Sequence, residues 1–337
     1  MSEAFFGGKS RIAPDVWTRF GPVVNFVEPF AGSLAVLLSR PQPFEGSETV
    51  NDLDGLLSNF WRAVQADPGA VAHHADYIIH ECDLHARHAW LVRHKEGLQT
   101  ALEGDSDYYD AKIAGWWLWG ICSWIGSGWC SGEGPWQQVD GKLVKADGAG
   151  VKRQRPHLGN AGMGINRKLP HLGDAGRGIN RQAKAGTCEE WSEHLQTMMR
   201  ELSDRLRRVR VCSGDWSRVC GPMPTEKLGL TAVFLDPPYS TEAGRDMNIY
   251  NEDSGDVAHA VRAWALEHGD NPLMRIALCG YDGEHAMPDS WERLAWKANG
   301  GYGSQGEGRG RENSEREVVW FSKACLKPDR PQQGMLL

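Results

Sequence analysis

The sequence predicts an α/β fold built around a mostly parallel sheet, and three stretches carry this prediction. Residues 231–234 are a short, largely apolar run followed by an acid and two prolines, which is typical of a buried parallel strand. Residues 22–27 form a second strand-like run, followed by a loop of small residues and a helical run at 34–38. Residues 49–52 form a third run, which also ends in an acid. Because open α/β sheets bind ligands at the carboxyl ends of their strands, the residues after these runs are candidate site residues.

Length and composition place the chain among ordinary globular proteins. Its 337 residues are enough for one large domain or two smaller ones with a sizeable core. Hydrophobic residues make up 41% and charged residues 24%, both usual values. The formal net charge of −7 argues against a general nucleic-acid binder, so any contact with a polyanion requires a local basic patch.

The distribution of cysteines and apolar residues predicts a soluble, cytoplasmic protein. The eight cysteines are scattered without a C-x-x-C pair, and no signal peptide is recognisable, so reduced thiols are expected. No apolar run approaches the roughly 20 residues that span a membrane.

The loop at 28–33 has the small residues of a nucleotide-binding turn. Gly32 and Ala31 allow a ligand to lie close to the backbone at a helix N-terminus, although the loop is not the G-x-G-x-x-G fingerprint. Asp52 follows the loop by about 20 residues, the distance at which an acid typically hydrogen-bonds ribose hydroxyls. Near the N-terminus, Gly7 and Gly8 precede Lys9, which also allows close approach to an anionic ligand but is more often a simple turn.

The stretch Asp236-Pro237-Pro238-Tyr239 is suited to hold an amino-bearing base. The first proline ends the strand because it has no N–H to donate, and the proline pair stiffens the backbone. The Asp236 carboxylate and the Pro237 carbonyl are then two fixed acceptors, beside the flat ring of Tyr239.

Four motifs together resemble those of the Dam-type (alpha-group) DNA adenine methyltransferases. They are Phe-Gly-Gly-Lys at 6–9, Glu-Pro-Phe-Ala-Gly-Ser at 28–33, Asn-Asp at 51–52 and Asp-Pro-Pro-Tyr at 236–239. These motifs anchor residues 5–60 and 205–325, whereas the middle of the chain is similar only in position and general character. One departure is Leu34, where many relatives carry a glycine.

The resemblance implies a Rossmann-like methyltransferase sheet, mostly parallel with a late antiparallel strand. It also implies S-adenosyl-L-methionine as methyl donor and the exocyclic amine of adenine in double-stranded DNA as acceptor, with the base flipped out of the duplex. Residues 1–75 and 205–327 are predicted to form the catalytic domain. Residues 76–204 are predicted to be an inserted, partly helical and loop-rich DNA-recognition region, and 328–337 a flexible tail.

The resemblance and the residue types together predict the site residues. Those predicted to act on the base are Asp236, Pro237, Pro238 and Tyr239. Lys9 and the loop 31–33 are expected at the methionine end of the cofactor, and Asp52 at its ribose. Asp215 and Trp216 are expected near its adenine, with a strand-end turn and a core tryptophan as the alternative. The full predicted cofactor set is Phe5, Gly7, Gly8, Lys9, Glu28, Pro29, Phe30, Ala31, Gly32, Ser33, Asp52, Asp215 and Trp216.

The middle of the chain carries the candidate DNA contacts. Residues 116–124 are rich in tryptophan and favour core packing, whereas Trp129 and Trp136 stand in a glycine-rich stretch where core packing and DNA contact are both open. Residues 156–167 recur as 170–181. Both copies lie within residues 151–186, a segment that holds eight basic residues and one acid. We favour DNA contact there over a solvated low-complexity loop. The predicted DNA-binding residues are Trp129, Trp136, Lys152, Arg153, Arg155, Asn166, Arg167, Lys168, Arg177, Asn180 and Arg181.

Two further features of the sequence have simple explanations. Five His and Cys residues between 80 and 94 are predicted to lie on continuous helix, so no metal site is expected. Residues 333–337 loosely resemble peptides that dock on bacterial sliding clamps, although most such matches are accidental. Two other functions stay open: methylation of the cytosine exocyclic amine, and a catalytically idle DNA-binding protein of the same fold.

Overall fold

The computed structural model describes residues 8–124, 129–130, 136–139, 142–145, 171–172, 179–180, 188–238, 257–296 and 317–328. In chain order the strands are β1 (Asn25–Glu28), β2 (Ser47–Asp52), β3 (Trp136–Val139), β4 (Lys142–Lys145), β5 (His171–Leu172), β6 (Ile179–Asn180), β7 (Val209–Ser213), β8 (Thr231–Leu235), β9 (Met274–Tyr281), β10 (Glu292–Ala295) and β11 (Glu317–Phe321). The helices are α1 (Ala13–Phe20), α2 (Ala35–Leu38), α3 (Gly55–Ala66), α4 (Pro68–Ala75), α5 (Glu81–Gly104), α6 (Ala111–Ser123), α7 (Cys188–Leu206) and α8 (Val257–His268). Three short 3₁₀ turns lie at Gly8–Arg11, Trp216–Val219 and Glu226–Leu228.

Seven strands form the central sheet, in the order β10-β11-β9-β8-β1-β2-β7. The five neighbouring strands from β9 to β7 run parallel to one another. β11 is antiparallel to both of its neighbours, β9 and β10. The predicted α/β class, with a mostly parallel sheet and a late antiparallel strand, is therefore confirmed.

Alternate residues of the central strands pack against opposite faces of the sheet, as the two-residue period of a strand requires. Phe26 and Phe234 join the cluster that contains α1, α2 and α3, whereas Val27 and Val233 join the cluster beneath α8. Both faces are covered, so β1 and β8 are buried along their whole length. Doubly covered parallel strands of this kind read as short apolar runs in the sequence.

Asp side chains mark the starts of three helices in the stretch after β2. Asp54 accepts a hydrogen bond from Leu56 N at 3.0 Å, and Asp67 and Asp110 cap α4 and α6 in the same way. Residues 55–104 thus form three helices, α3, α4 and α5.

The helices of the predicted insertion share the main hydrophobic core with the sheet. Leu91 of α5, Leu118 of α6 and Met199 of α7 belong to the same buried cluster as Phe60 of α3. The methionines of α7 are core residues, as their helical spacing predicts. Two small antiparallel pairs, β3 with β4 and β5 with β6, are the only strands described between α6 and α7.

A buried ionic network joins β2 to α7. The Glu48 carboxylate, 3% exposed as a residue, accepts from Arg205 Nη1 at 2.8 Å and from Arg40 Nη1 at 3.2 Å. Arg205 Nη2 also donates to Leu37 O at 2.8 Å. Because both guanidinium groups depend on one carboxylate, this network fixes the C-terminal end of α7, where the predicted insertion ends, against β2, which precedes the insertion.

Trp129 packs in the core beside α6. Its ring is 7% exposed, its Nε1 donates to Trp117 O at 3.1 Å, and it lies 5.3 Å from the ring of His88. Gly120 provides the space, because an added Cβ there would lie 1.7 Å from a Trp129 ring atom. Burial favours core packing over DNA contact for Trp129.

Replacing Gly120 with alanine tests this packing. The methyl group would meet an aromatic ring held by its neighbours, so Gly120→Ala is expected to destabilise the fold by about 1–3 kcal/mol. The matched control is Gly97→Ala in α5, where an added Cβ meets nothing within 4 Å. That change is expected to stabilise by about 0.5–1 kcal/mol through helix propensity. Urea unfolding of both variants checks the prediction, and equal effects would contradict it.

Candidate active site at the carboxyl edge of the sheet

The loops that follow β1, β2, β7 and β8 all leave the sheet at one edge, because these four neighbouring strands are parallel. The order β8-β1-β2-β7 places the Asp-Pro-Pro stretch beside the 28–33 loop, and this loop beside Asp52. The structure therefore brings together predicted residues that are up to about two hundred positions apart in the sequence.

The 28–33 loop keeps one side of its backbone open. Gly32 has φ +44°, a left-handed conformation, and an added Cβ there would meet nothing within 4 Å. Leu34 also has a positive φ, +55°, while its side chain is completely buried. This position keeps a glycine-like backbone and uses leucine to fill the core, at a cost of roughly 1 kcal/mol in strain.

The end of β2 holds the two flanking loops together. Asn51 Nδ2 donates to Pro29 O at 3.1 Å on one side and to Gly214 O at 2.9 Å on the other. The Asp52 carboxylate accepts from Gly32 N at 2.9 Å, through Oδ2. Its Oδ1 accepts from Asp54 N, also at 2.9 Å. Asn51 and Asp52 thus fix the loops after β1 and β7 relative to each other.

Burial raises the pKa of the Asp52 carboxyl to about 6, even though backbone N–H groups such as that of Gly32 act in the opposite direction. The side chain predicted to contact ribose is thus also a structural acceptor for the loop. An ionised carboxylate has further lone pairs, so these backbone bonds leave it able to accept from a hydroxyl as well.

Phe30 and Trp216 form an aromatic pair across the same edge. Their ring centroids are 6.1 Å apart with an interplanar angle of 28°. Asp215 precedes Trp216 and caps its 3₁₀ turn, accepting from Ser217 N at 2.9 Å. Two residues predicted to contact the cofactor therefore come from different strand ends and meet, both partly exposed.

Glu28 lies deeper than its neighbours in the loop. It is 2% exposed, and its Oε2 accepts from Leu37 N, at 3.2 Å, in the first turn of α2. Burial raises the pKa of Glu28 well above its usual value. In this structure its carboxyl group supports the helix that follows the loop.

Asp236 comes directly after β8, and Lys9 meets it there. Lys9 Nζ lies 3.1 Å from Asp236 Oδ1 and 2.8 Å from Glu317 Oε2. Burial disfavours the charged ammonium, but the two carboxylates outweigh it and hold the pKa of Lys9 well above its usual value. The carboxylate of the cofactor would have to share this ammonium with the carboxylates of Asp236 and Glu317. The role of Lys9 at the methionine end of the cofactor therefore stays a prediction.

Glu317 is a site residue that the sequence prediction missed. Its carboxylate reaches the edge because β11 runs antiparallel and starts where the parallel strands end. An acid at the first position of a late antiparallel strand is the signal that would have identified it.

Several predicted residues lie outside the described part of the chain. Phe5, Gly7 and Tyr239 are among them, as are most of the predicted DNA contacts: Lys152, Arg153, Arg155, Asn166, Arg167, Lys168, Arg177 and Arg181. Trp136 begins β3 and Asn180 ends β6.

Two absences apply to the described residues. Among them, no three His, Cys, Asp or Glu side chains are grouped so that they could hold a metal ion. No helix in the same ranges is both long and apolar enough to cross a membrane.

Residues 5–100 match the family model of the D12 class N6 adenine-specific DNA methyltransferases. The matched segment contains the 28–33 loop and Asp52, and it ends within α5. No curated protein sequence matches the chain. The family match and the seven-stranded sheet confirm the predicted class, an enzyme that methylates adenine in DNA. The narrower Dam-type assignment stays a prediction.

The pKa of Asp52 gives a prediction about stability. A carboxyl whose pKa is about 6 when folded and near 3.9 when unfolded binds more protons in the folded state between these values. The contribution of this group to the free energy of unfolding should therefore decrease as pH rises from 4 to 6. In Asp52→Asn this contribution should be absent, so the difference in free energy of unfolding between the wild type and the variant should change across that range. Urea titrations at pH 4, 5, 6 and 7 test this, and parallel pH profiles would contradict it.

Proposed function

We propose that the chain moves a methyl group from S-adenosyl-L-methionine to the exocyclic amine of an adenine flipped out of double-stranded DNA. The observation that carries the proposal is the adjacency of β8 and β1. It puts the acceptors at Asp236 and Pro237 next to the 28–33 loop, which lies within the segment that matches adenine-specific DNA methyltransferases.

The residues around the 28–33 loop suit a nucleoside-containing cofactor. The open side of Gly32 leaves room for a ligand against the backbone, and the partly exposed Phe30 and Trp216 rings offer flat apolar surface. We assign Asp52 to the ribose hydroxyls and Asp215 with Trp216 to the adenine of the cofactor. The wider set comprises Gly8, Lys9, Glu28, Pro29, Phe30, Ala31, Gly32 and Ser33, together with Phe5 and Gly7, which lie outside the described residues.

The chemistry assigned to the end of β8 is orientation of the substrate amine. When bound, the cofactor supplies a methyl group already activated by its sulfonium, so positioning provides most of the rate enhancement. The adenine amine is a poor nucleophile because its lone pair is delocalised into the ring. The Asp236 carboxylate and the Pro237 carbonyl would accept its two hydrogens and favour a pyramidal nitrogen. Pro238 stiffens this segment, and Tyr239 would stack on the base.

DNA binding is assigned mainly to the segment between α6 and α7. Basic residues at 152–184 with a single acid suit a polyanion, and each copy of the repeat carries His, Asn and Arg. Flipping the base costs a few kcal/mol, which contacts of this kind would offset. Residues 333–337 lie outside the described ranges, and their docking on a sliding clamp stays a prediction.

Replacing Asp236 tests the assignment of the catalytic group. Asp236→Ala removes one of the two acceptors for the amine, so methyl transfer to adenine-containing DNA should fall by a factor of about 100 or more. The dissociation constant for S-adenosylmethionine should change much less, because most of the assigned cofactor residues lie at or after the ends of β1, β2 and β7. Asp282→Ala is the control, since Asp282 pairs with Arg293 at 2.8 Å on the surface. Near-normal turnover by Asp236→Ala would refute the assignment.

Replacing Gly32 tests the cofactor loop separately. Gly32→Ala forces a left-handed alanine, at roughly 1 kcal/mol, and puts a methyl group into the open space that the cofactor is proposed to fill. Calorimetry should show S-adenosylmethionine binding weakened about tenfold or more. Unchanged affinity in a folded variant would place the cofactor elsewhere.

A further inference from the structure

The ammonium of Lys9 joins a residue of the proposed catalytic motif to one with no assigned role. Its bonds to Asp236 and Glu317 are 3.1 and 2.8 Å long. The three side chains are 14%, 22% and 15% exposed, so the group is largely shielded from water. Two carboxylates sharing one cation at this depth interact far more strongly than a surface ion pair does.

The fold explains how Glu317 reaches this place. β11 runs against β9, and the register pairs Glu317 with Tyr281, the last residue of β9. The first residue of β11 therefore lies at the carboxyl edge of the parallel strands, near the end of β8. Glu292, in contrast, pairs with Phe321 at the opposite end of β11, where it bonds Arg19.

We propose that Glu317 is a positioning residue for methyl transfer, acting through Lys9 on Asp236. The inference rests on the proposed function. Glu317 anchors the ammonium, and the anchored ammonium fixes Oδ1 of Asp236, which sets the orientation of the carboxylate that receives the substrate amine. A shift of about 1 Å in such an acceptor is enough to cost a large factor in rate.

Glu317 also sets the charge that the substrate amine meets. As the amine nitrogen forms its bond to the methyl group, the carbon–sulfur bond breaks and its electron pair stays on the sulfur of the departing S-adenosylhomocysteine. Positive charge develops on the nitrogen until one of its protons passes to water. Lys9 with Asp236 alone would be neutral overall, whereas Glu317 adds a second negative charge. The trio then has a net negative charge where the positive charge develops, which stabilises the transition state.

The groups around this trio do not replace Glu317. Burial raises the pKa of both Cys279 and Glu28 well above their usual values, which favours their uncharged forms. The Trp296 ring, whose centroid lies 5.4 Å from Lys9 Nζ, carries no charge. Among the described residues that face the ammonium, Asp236 and Glu317 are the two carboxylates bonded to it.

A double-mutant cycle with Glu317→Gln and Lys9→Met tests the inference. Single-turnover methyl transfer, with enzyme in excess over DNA, keeps slow variants measurable. Glu317→Gln should lower the rate about tenfold, while the dissociation constant for S-adenosylmethionine stays within about twofold. In the Lys9→Met background the same substitution should have little further effect, because its path to Asp236 is gone. Glu292→Gln is the matched control and should leave the rate unchanged.

A second measurement follows the contact without using activity. Acetylation of Lys9, quantified by mass spectrometry, should be faster in Glu317→Gln than in the wild type, since the ammonium loses its ion pair with the Glu317 carboxylate. An unchanged acetylation rate, an unaffected methylation rate in Glu317→Gln, or an equal loss in both backgrounds would each overturn the inference. A wild-type chain that methylates no DNA would instead refute the proposed function.

Discussion

The direction of the strands is the constraint on which the site depends. Five neighbouring strands run parallel, so their carboxyl ends, and the polar residues that follow them, are collected at one edge of the sheet. The antiparallel β11 adds the beginning of a strand to the same edge. Residues from both ends of the chain therefore meet around Asp236, although they are hundreds of positions apart.

Polar groups at this edge have structural roles in addition to the roles proposed for them in binding. Asn51 and Asp52 bridge the loops after β1 and β7. Glu28, the first residue of the proposed cofactor loop, supports α2. Such double use keeps the loops rigid, which a reaction governed by positioning requires. The ionic network of Glu48 provides comparable rigidity where the predicted insertion joins the sheet, since Arg205 follows the predicted insertion and β2 precedes it.

Much of the fold could be predicted from local sequence patterns. The strand-like runs predicted at 22–27, 49–52 and 231–234 overlap β1, β2 and β8, and the acids at the ends of the last two runs indicated the candidate edge. These features are local, because the period of apolar residues and the breakers lie within a few positions. The glycine-like backbone at Leu34 could be suspected only from the resemblance, since leucine seldom adopts a positive φ.

Contacts that depend on topology could not be predicted in this way. Glu317 reads as one more acid before an apolar strand, and its pairing with Lys9 depends on β11 being inserted between β9 and β10. Trp129 is similar, because its glycine-rich surroundings suggest an exposed loop, while Gly120 creates a buried place for its ring. For Glu317 the decisive neighbour, Lys9, is remote along the chain. For Trp129 it is Gly120, whose role the sequence does not indicate.

The central claim is that the edge around Asp236 methylates adenine in DNA. Nucleoside analysis of DNA from cells that express the chain, in a host without adenine methylation of its own, tests this most directly. We expect N6-methyldeoxyadenosine with the wild type and none with Asp236→Ala. The appearance of N4-methyldeoxycytidine instead, or of no methylated base from a folded chain that binds S-adenosylmethionine, would contradict the claim.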